Sequence, residues 1–498
     1  MRDTPGPADT PAPATAPATA PAPPAFSQRE VRGIVAGLTL ALFLSSLDQT
    51  IVATALSAIA ADIGGWEAMP WVVSAYLIAS TVTTPIYGRL SDLYGRRKLL
   101  LVSVALFMAG AALAALAPGM GWLIAARVVQ GLGGGGLRAI ALAVVGDILP
   151  PRERGRVQGY LSATFATANI LGPVLGGLFV DALSWHWIFW VNLPLGAAAL
   201  AATWFQLRRL PRPGKRPRID WLGALLIVAS CTPLLLAISE VQRGEGWHSP
   251  LVLGLVLLGL VLLAALLAQE RVAPQPMLPL GLFRNRIFSV GVAVSGLSSM
   301  VMMALTMLVP LAYQLMAGLS AKEAGLRMIA MTLGSVAGSF LAGQAVARTG
   351  RYRFLALLGT GVATVMCLVI ARIGLGHSLP LDTAVTLALG LAFGCQFSPM
   401  TVTIQNALDP RDGGIGVACM MFFRLMGGAF GVALLSAVLL GRLGAEGGGG
   451  LAHLAAAGPV PGATEAFSAV FLGAGAIGAL AFALSLALQE IPLRGRDG

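Results

Sequence analysis

The stretch GRLSDLYGRRKLL, residues 88–100, decides the fold because it is short, polar and highly charged between two long apolar runs. Its charged side chains are Arg89, Asp92, Arg96, Arg97 and Lys98. Because these charges enter hydrocarbon only at high cost, the stretch marks a loop on one side of a membrane. Gly88 and Gly95 lack Cβ and so permit tight turns and close helix approach. Asp92 can pair with a neighbouring Arg or with a helix N-terminus.

The composition of the chain places it in a bilayer. Of the 498 residues, 56% are hydrophobic and 11% are charged, whereas soluble domains carry roughly 25% charged residues. Apolar runs recur along the chain at about the 20-residue length of a spanning helix. We therefore predict an all-α integral membrane protein whose partners include the lipid bilayer.

The distribution of charge argues against a nucleic-acid partner. The formal net charge is +11, but most Lys and Arg residues lie in the termini and in loops on the side of residues 88–100. This is the positive-inside pattern of membrane proteins. It predicts a multi-pass protein of the cell (inner or plasma) membrane with both termini in the cytoplasm. A monomer is the default expectation.

The apolar runs form two halves of six predicted helices each, with two additional helices inserted between them. The predicted segments are a disordered Pro/Ala-rich cytoplasmic N-terminus (1–32), a six-helix bundle (33–206), a basic cytoplasmic linker (207–219), inserted helices seven and eight (220–268), a second cytoplasmic linker (269–286), a second six-helix bundle (287–489) and a cytoplasmic tail (490–498).

A weaker copy of the 88–100 pattern occurs at residues 343–354, GQAVARTGRYRF. Gly343, Gly350 and Arg351 align with Gly88, Gly95 and Arg96, while Ala347 stands in the place of Asp92. The echo indicates two parallel repeats related by an axis along the membrane normal.

Charged and polar residues inside the apolar runs are the first candidates for function, because they are costly in hydrocarbon. Asp48 lies in the first predicted helix, and Arg127 and Gln130 lie in the fourth. A structural Asp bonded to a neighbouring helix is the alternative for Asp48. Arg138 lies deeper in the fourth helix, where it could pair with an acid or line a cavity.

Glycines in the fifth helix are the next candidates. The stretch ANILGPVLGG, residues 168–177, contains Gly172, Gly176 and Gly177, which allow helices to touch backbone to backbone. Pro173 kinks or rigidifies this face. Four cysteines without CxxC spacing give no metal site, and the chain has no HExxH, GxSxG or P-loop sequence, so no enzyme is indicated.

These motifs resemble those of the fourteen-helix drug:proton antiporter group of the major facilitator superfamily. The matching segments are LDQTIVATAL (47–56), GRLSDLYGRR (88–97), RVVQG (127–131), GPVLGG (172–177) and SWHWIFWVNLPLG (184–196). Departures from the family patterns are Ala53, Ser57, Ala168 and His186, where members often have Asn, Pro, Gly and Arg.

The resemblance implies a fold of two six-helix bundles plus two inserted helices, fourteen spans in all. It implies proton coupling at Asp48 and Arg127, with the proton gradient as energy source and no cofactor. It also implies a conformational latch motif of Gly88, Asp92, Gly95, Arg96 and Arg97, and an antiporter motif of Gly172, Pro173, Gly176 and Gly177.

The function implied by the resemblance is export of apolar or cationic drugs, or other toxic small molecules, by alternating access. An exporter of a specific lipid, siderophore or self-made antibiotic is the close alternative, and an uptake symporter is a weaker one. Polar residues on apolar helices are candidates to line the substrate cavity: Gln130, Arg138, Asn169, Tyr313, Gln314, Gln405 and Arg424.

Overall fold

The computed structural model describes most of the chain. The described residues are 27–65, 68–149, 151–210, 220–242, 245–274, 276–376, 378–409, 412–443 and 460–492. Residues 1–26 of the predicted disordered N-terminus, 211–219 of the basic linker and 493–498 of the tail lie outside them.

Fourteen long helices fill the described part of the chain. They are α1 Gln28–Ile63, α2 Met69–Tyr94, α3 Arg96–Ala115, α4 Met120–Ile148, α5 Pro151–Ala182, α6 Trp187–Gln206, α7 Trp221–Gln242, α8 Pro250–Val272, α9 Arg286–Ala317, α10 Ala321–Thr349, α11 Arg353–Ile373, α12 Leu379–Ala407, α13 Gly413–Leu443 and α14 Ala463–Leu486. Short 3-10 turns at Leu207–Arg209 and Leu280–Arg284 complete the regular structure of those residues.

Twelve of the helices are long and apolar enough to cross a membrane. The other two, α2 and α5, are 26 and 32 residues long and pack inside the same bundle. The prediction of an all-helical membrane protein with helices inserted between two bundles is therefore confirmed. The count of fourteen spans stays a prediction, since it requires α2 and α5 to cross as well.

The helix pairing repeats between the two halves. In the first half α1 packs on α5, and α4 packs on both α2 and α3. In the second half α9 packs on α13, and α12 packs on both α10 and α11, which is the same arrangement shifted by eight helices. The inserted helices α7 and α8 pack on each other, and α7 also contacts α2 and α13. The insertion therefore lies beside the junction between the halves.

The halves are closed against each other at the end that carries residues 88–100. There the Ile415 amide donates to Asp92, and the Gln405 side chain donates to the Leu142 carbonyl. These two hydrogen bonds join the halves at this end. The two halves are therefore in contact at the predicted cytoplasmic end.

Gly95 is the single residue between α2 and α3. Its φ of 94° and ψ of 136° lie in a region that residues with a Cβ rarely adopt. This geometry lets α3 begin directly after α2. Arg96, the first residue of α3, can then pair with Asp92 in the last turn of α2. A side chain at this position would strain the turn.

We expect Gly95→Ala to destabilise the protein by about 1–3 kcal/mol, because a strained backbone costs that much. The measurement is the apparent unfolding temperature of purified protein in detergent. Gly121→Ala is the matched control, because a Cβ there meets open space within α4. Equal unfolding temperatures for the two variants would contradict the strain argument.

Candidate functional site

Asp48 is the centre of a buried polar network in the first half. Its side chain is fully buried, and its Oδ2 accepts a hydrogen bond from Arg127 Nη1 at 2.6 Å. Its Oδ1 accepts from Gln130 Nε2 at 2.8 Å and from Asn192 Nδ2 at 3.0 Å. Arg127 Nε donates to the Val72 carbonyl at 3.1 Å. The carboxylate therefore ties α1 to α4 and α6, and the arginine extends the network to α2.

Aromatic side chains enclose this network. The Arg127 guanidinium lies 4.4 Å from the centroid of the Tyr76 ring and 5.9 Å from that of Phe189. The Tyr76 hydroxyl lies 3.1 Å from Ser45 Oγ on α1. The rings exclude water from the ion pair, and a dry environment strengthens its electrostatic attraction. Removing one partner of such a pair typically costs about 3–5 kcal/mol, since it leaves an unpaired buried charge.

The sequence singled out Asp48 and Arg127 for proton coupling and Gln130 as a cavity candidate, and the structure brings the three together. Asn192 and Tyr76 were missed. Asn192 does occur in the WVNLPLG part of the sixth-helix motif, which was the available signal for it. Nothing in the sequence distinguished Tyr76 as a site residue, because aromatic residues are common in apolar runs.

Arg96 holds together a second cluster at the predicted cytoplasmic end, which we call the Arg96 cluster: Asp92, Arg96, Asp147 and the Ile415 amide. Arg96 forms ion pairs with Asp92 and with Asp147, the latter at 2.8 Å between Nε and Oδ2. Asp92 Oδ2 accepts from the Ile415 amide at 2.9 Å. The cluster joins α2, α3 and α4 to the first turn of α13, where unpaired amides favour a negative charge.

Two glycines let this cluster form. Gly88 lies so close to Ala418 on α13 that a Cβ would overlap the alanine methyl group. Gly414 lies against the side chains of Asp92 and Arg96, where a Cβ would also overlap. Close approach of α2 and α13 therefore depends on small residues on both helices.

Arg97 lies apart from the Arg96 cluster, although the predicted latch motif includes it. Its Nη2 donates to the Trp204 carbonyl at 2.9 Å, and its guanidinium lies 4.6 Å from the Trp204 ring centroid. Arg97 therefore attaches α3 to α6 within the first half. The reason is helical geometry, since consecutive residues point about 100° apart.

The antiporter motif packs α5 against α1 just after Asp48. A Cβ on Gly172 would overlap Thr50 Oγ1, and one on Gly176 would overlap Thr54 Oγ1. Thr50 Oγ1 donates to the Ala168 carbonyl across this contact at 3.1 Å. Gly177 faces open space instead. The side chains of Pro173 and Asn169 lie outside the described part of the structure.

The remaining cavity candidates are scattered. Arg138 Nη2 donates to Gln49 Oε1 at 2.6 Å, beside Asp48. Arg424 lies over Phe397 on α12, with 3.9 Å between the guanidinium carbon and the ring centroid. Gln405 reaches α4 across the halves. Polar residues predicted to line a cavity therefore occupy several different places.

Tyr313 and Gln314 lie away from the junction between the halves. Tyr313 is buried beneath Arg327, whose guanidinium lies 5.0 Å from its ring centroid. Arg327 also forms an ion pair with the buried Asp382 at 2.6 Å, a pair that the sequence analysis missed. Gln314 donates to the Pro310 carbonyl within α9. Neither residue joins the Asp48 network.

We expect Asp92→Asn to lower transport without abolishing membrane insertion, because the amide keeps an acceptor for Ile415 but loses the charge that pairs with Arg96. Arg97→Gln is the matched control from the same loop, and it should leave transport nearly unchanged. Transport rate at equal membrane content is the measurement. Unchanged transport in Asp92→Asn would remove the latch role.

Gly172→Ala should lower both stability and transport, because the new methyl group overlaps Thr50 and forces α5 away from α1. Overpacking of this kind typically costs about 1–3 kcal/mol. Gly177→Ala on the same helix is the control. Unfolding temperature and transport rate are measured for both, and equal values would show that the α1–α5 contact tolerates the extra atom.

Comparisons with known proteins agree with this architecture. The sequence model of the Major Facilitator Superfamily matches residues 38–432. The chain is 33% identical over 418 residues to "Multidrug resistance protein 3" of Bacillus subtilis (strain 168), covering 82% of this chain and 80% of that protein. It is 34% identical over 413 residues to "Multidrug transporter protein MdtP" of the same organism, covering 82% and 76%.

The fold is also similar to that of a solved structure. The proton:xylose symporter XylE, bound to 6-bromo-6-deoxy-D-glucose, superposes with a TM-score of 0.64 at 14% sequence identity. The superposition covers 94% of this chain and 98% of the symporter. At this identity the likeness concerns the fold alone.

Proposed function

The chain belongs to the major facilitator superfamily, and from this premise we propose that it exports apolar small molecules from the cytoplasm in exchange for protons. Membership makes it a membrane transporter of small molecules and not an enzyme. Two relatives are named as multidrug proteins, which supports export over uptake. The observation that carries the proposal is the fully buried Asp48 carboxylate, paired with Arg127 at 2.6 Å.

Asp48 is the proton-binding residue in this proposal. A buried carboxylate either is paired or takes up a proton, since an isolated charge is too costly. Protonation removes the charge that Arg127 pairs with and an acceptor for Gln130 or Asn192. The polar contacts that join α1 to α4 and α6 then weaken. The proton thus acts on helix packing within the first half.

Two contacts transmit this change to the rest of the molecule. The glycines of α5 hold it against α1 beside Thr50 and Thr54, so a shift of α1 moves α5. α5 in turn packs on α10 of the second half, where Tyr160 and Phe340 lie 6.5 Å apart between ring centroids. Movement of α1 therefore reaches the junction between the halves, which rock against each other during alternating access.

The Arg96 cluster sets which side is closed. While Asp92 accepts from the Ile415 amide, α13 stays attached to α2 at the predicted cytoplasmic end. Loss of this contact frees the two ends and opens the cavity to the cytoplasm. The proton gradient is the energy source, and no cofactor takes part in the cycle. Both termini lie in the cytoplasm in this proposal.

We expect cells that make the wild type to expel Nile red, an uncharged apolar dye, and to lose this efflux when a protonophore is added. Asp48→Asn should lower efflux to the level of cells without the transporter, because the amide cannot exchange a proton. Asp62→Asn is the control, because Asp62 lies near the outer end of α1 and accepts from Trp185 at 2.7 Å.

Both variants are compared at equal membrane content, and Asp48→Glu tests whether a carboxyl group alone restores activity. Efflux by Asp48→Asn that still depends on the proton gradient would show that another residue binds the proton. Efflux by the wild type that is insensitive to the protonophore would contradict proton coupling.

A further inference from the structure

Arg138 and Arg424 lie well inside membrane helices and form no ion pair with a carboxylate among the described residues. Arg127 is neutralised by Asp48, and Arg327 by Asp382. Arg138 on α4 and Arg424 on α13 form no ion pair in that part of the chain. An arginine in hydrocarbon is costly and is expected to face a partner or a water-filled cavity. Both positions could therefore be stabilised by a bound anion.

Arg138 is only partly satisfied. Its Nη2 donates to Gln49 Oε1 at 2.6 Å, while its Nε is buried and has no hydrogen-bond partner among the described residues. Gln49 is a neutral amide and leaves the positive charge in place. Gln49 directly follows Asp48, so Arg138 contacts the same turn of α1 as the proposed proton site.

Arg424 faces the space between α9, α12 and α13. It lies three and four residues before Gly427 and Gly428, so the three residues share one face of α13. That face meets α9, because a Cβ on Gly427 would lie 2.5 Å from the Gly296 carbonyl oxygen. The guanidinium stacks on Phe397 of α12 at 3.9 Å from the ring centroid. The aromatic ring attracts the guanidinium through a cation–π interaction, but it does not neutralise the positive charge.

The two arginines lie at the same depth on neighbouring helices. Asp147 on α4 and Ile415 on α13 both belong to the Arg96 cluster. Arg138 comes nine residues before Asp147, and Arg424 comes nine residues after Ile415. At 1.5 Å per residue, each lies about 14 Å along its helix from that cluster, near the middle of a hydrocarbon core of about 30 Å. α4 packs on α13 across the halves.

We propose that Arg138 and Arg424 form an anion-recognition site contributed by both halves, so that among apolar molecules those with an acidic group bind most tightly. Guanidinium groups bind carboxylates through paired, charge-assisted hydrogen bonds. Phe397 offers an apolar surface beside the charge. This inference rests on the proposed function and deepens it. A cationic cargo, which the sequence analysis included, meets two uncompensated positive charges here and is disfavoured.

The test is equilibrium binding to purified protein in phosphatidylcholine nanodiscs, without a proton gradient. The probes share one fluorophore and differ in charge: dansylglycine carries a carboxylate, dansylamide is uncharged and dansylcadaverine carries an ammonium group. We expect dansylglycine to bind about tenfold or more tighter than dansylcadaverine, as charge-assisted hydrogen bonds are worth that ratio. Arg138→Gln and Arg424→Gln should each lose most of this preference.

Three comparisons complete the design. Arg424→Lys should keep part of the preference, because it retains the charge. Arg372→Gln, at the exposed outer end of α11, should keep all of it. Nanodiscs that contain phosphatidylglycerol test whether an anionic lipid headgroup occupies the site instead. If the affinity for dansylglycine is the same in these nanodiscs as in phosphatidylcholine, the site binds the cargo.

Equal binding of the three probes, no binding of dansylglycine, or a preference that survives both glutamine substitutions would overturn the proposal. Competition by phosphatidylglycerol would overturn it in favour of a lipid site. Because binding is read without transport, these outcomes are independent of the Nile red experiment. A wild type that fails to expel Nile red but keeps the charge preference would contradict the proposed export and leave the anion site standing.

Discussion

The cost of burying the Asp48 carboxylate is the constraint on which the first half of the molecule depends. The charge is stable only because Arg127, Gln130 and Asn192 surround it with donors. Those donors come from α4 and α6, so one carboxylate fixes the positions of three helices. In the proposed mechanism, adding a proton to this carboxylate weakens several contacts at once. Apolar packing alone would give no comparable response to a proton.

Small residues give the close helix contacts through which the proposed mechanism moves whole helices. Gly172 and Gly176 bring α5 against α1, and Gly88 and Gly414 bring α2 against α13. At these contacts the backbones nearly touch, so one helix cannot shift without displacing the other. The first contact lies next to Asp48 on α1, and the second lies at the junction between the halves.

Much of the site could be predicted from the sequence because ionisable residues stand out within apolar runs. Asp48, Arg127 and Gln130 were found in this way. Asn192 was missed although it lies in the motif at 184–196, and Tyr76 was missed because aromatic residues are ordinary in apolar runs. The sequence motifs also do not show which helices become neighbours in the fold. Arg97 shows this, since it follows Arg96 directly but turns to Trp204 on α6. The uncompensated charge of Arg424 likewise emerged only when its surroundings were known.

The central claim is that Asp48 exchanges a proton, and infrared difference spectroscopy tests it most directly. Spectra of the purified transporter would be recorded across a pH titration for the wild type and for Asp48→Asn. Our account predicts a carbonyl band of a protonated buried carboxyl group that titrates in the wild type and is absent from the variant. A titrating band of equal size in Asp48→Asn would contradict the claim and assign the proton to another carboxyl group.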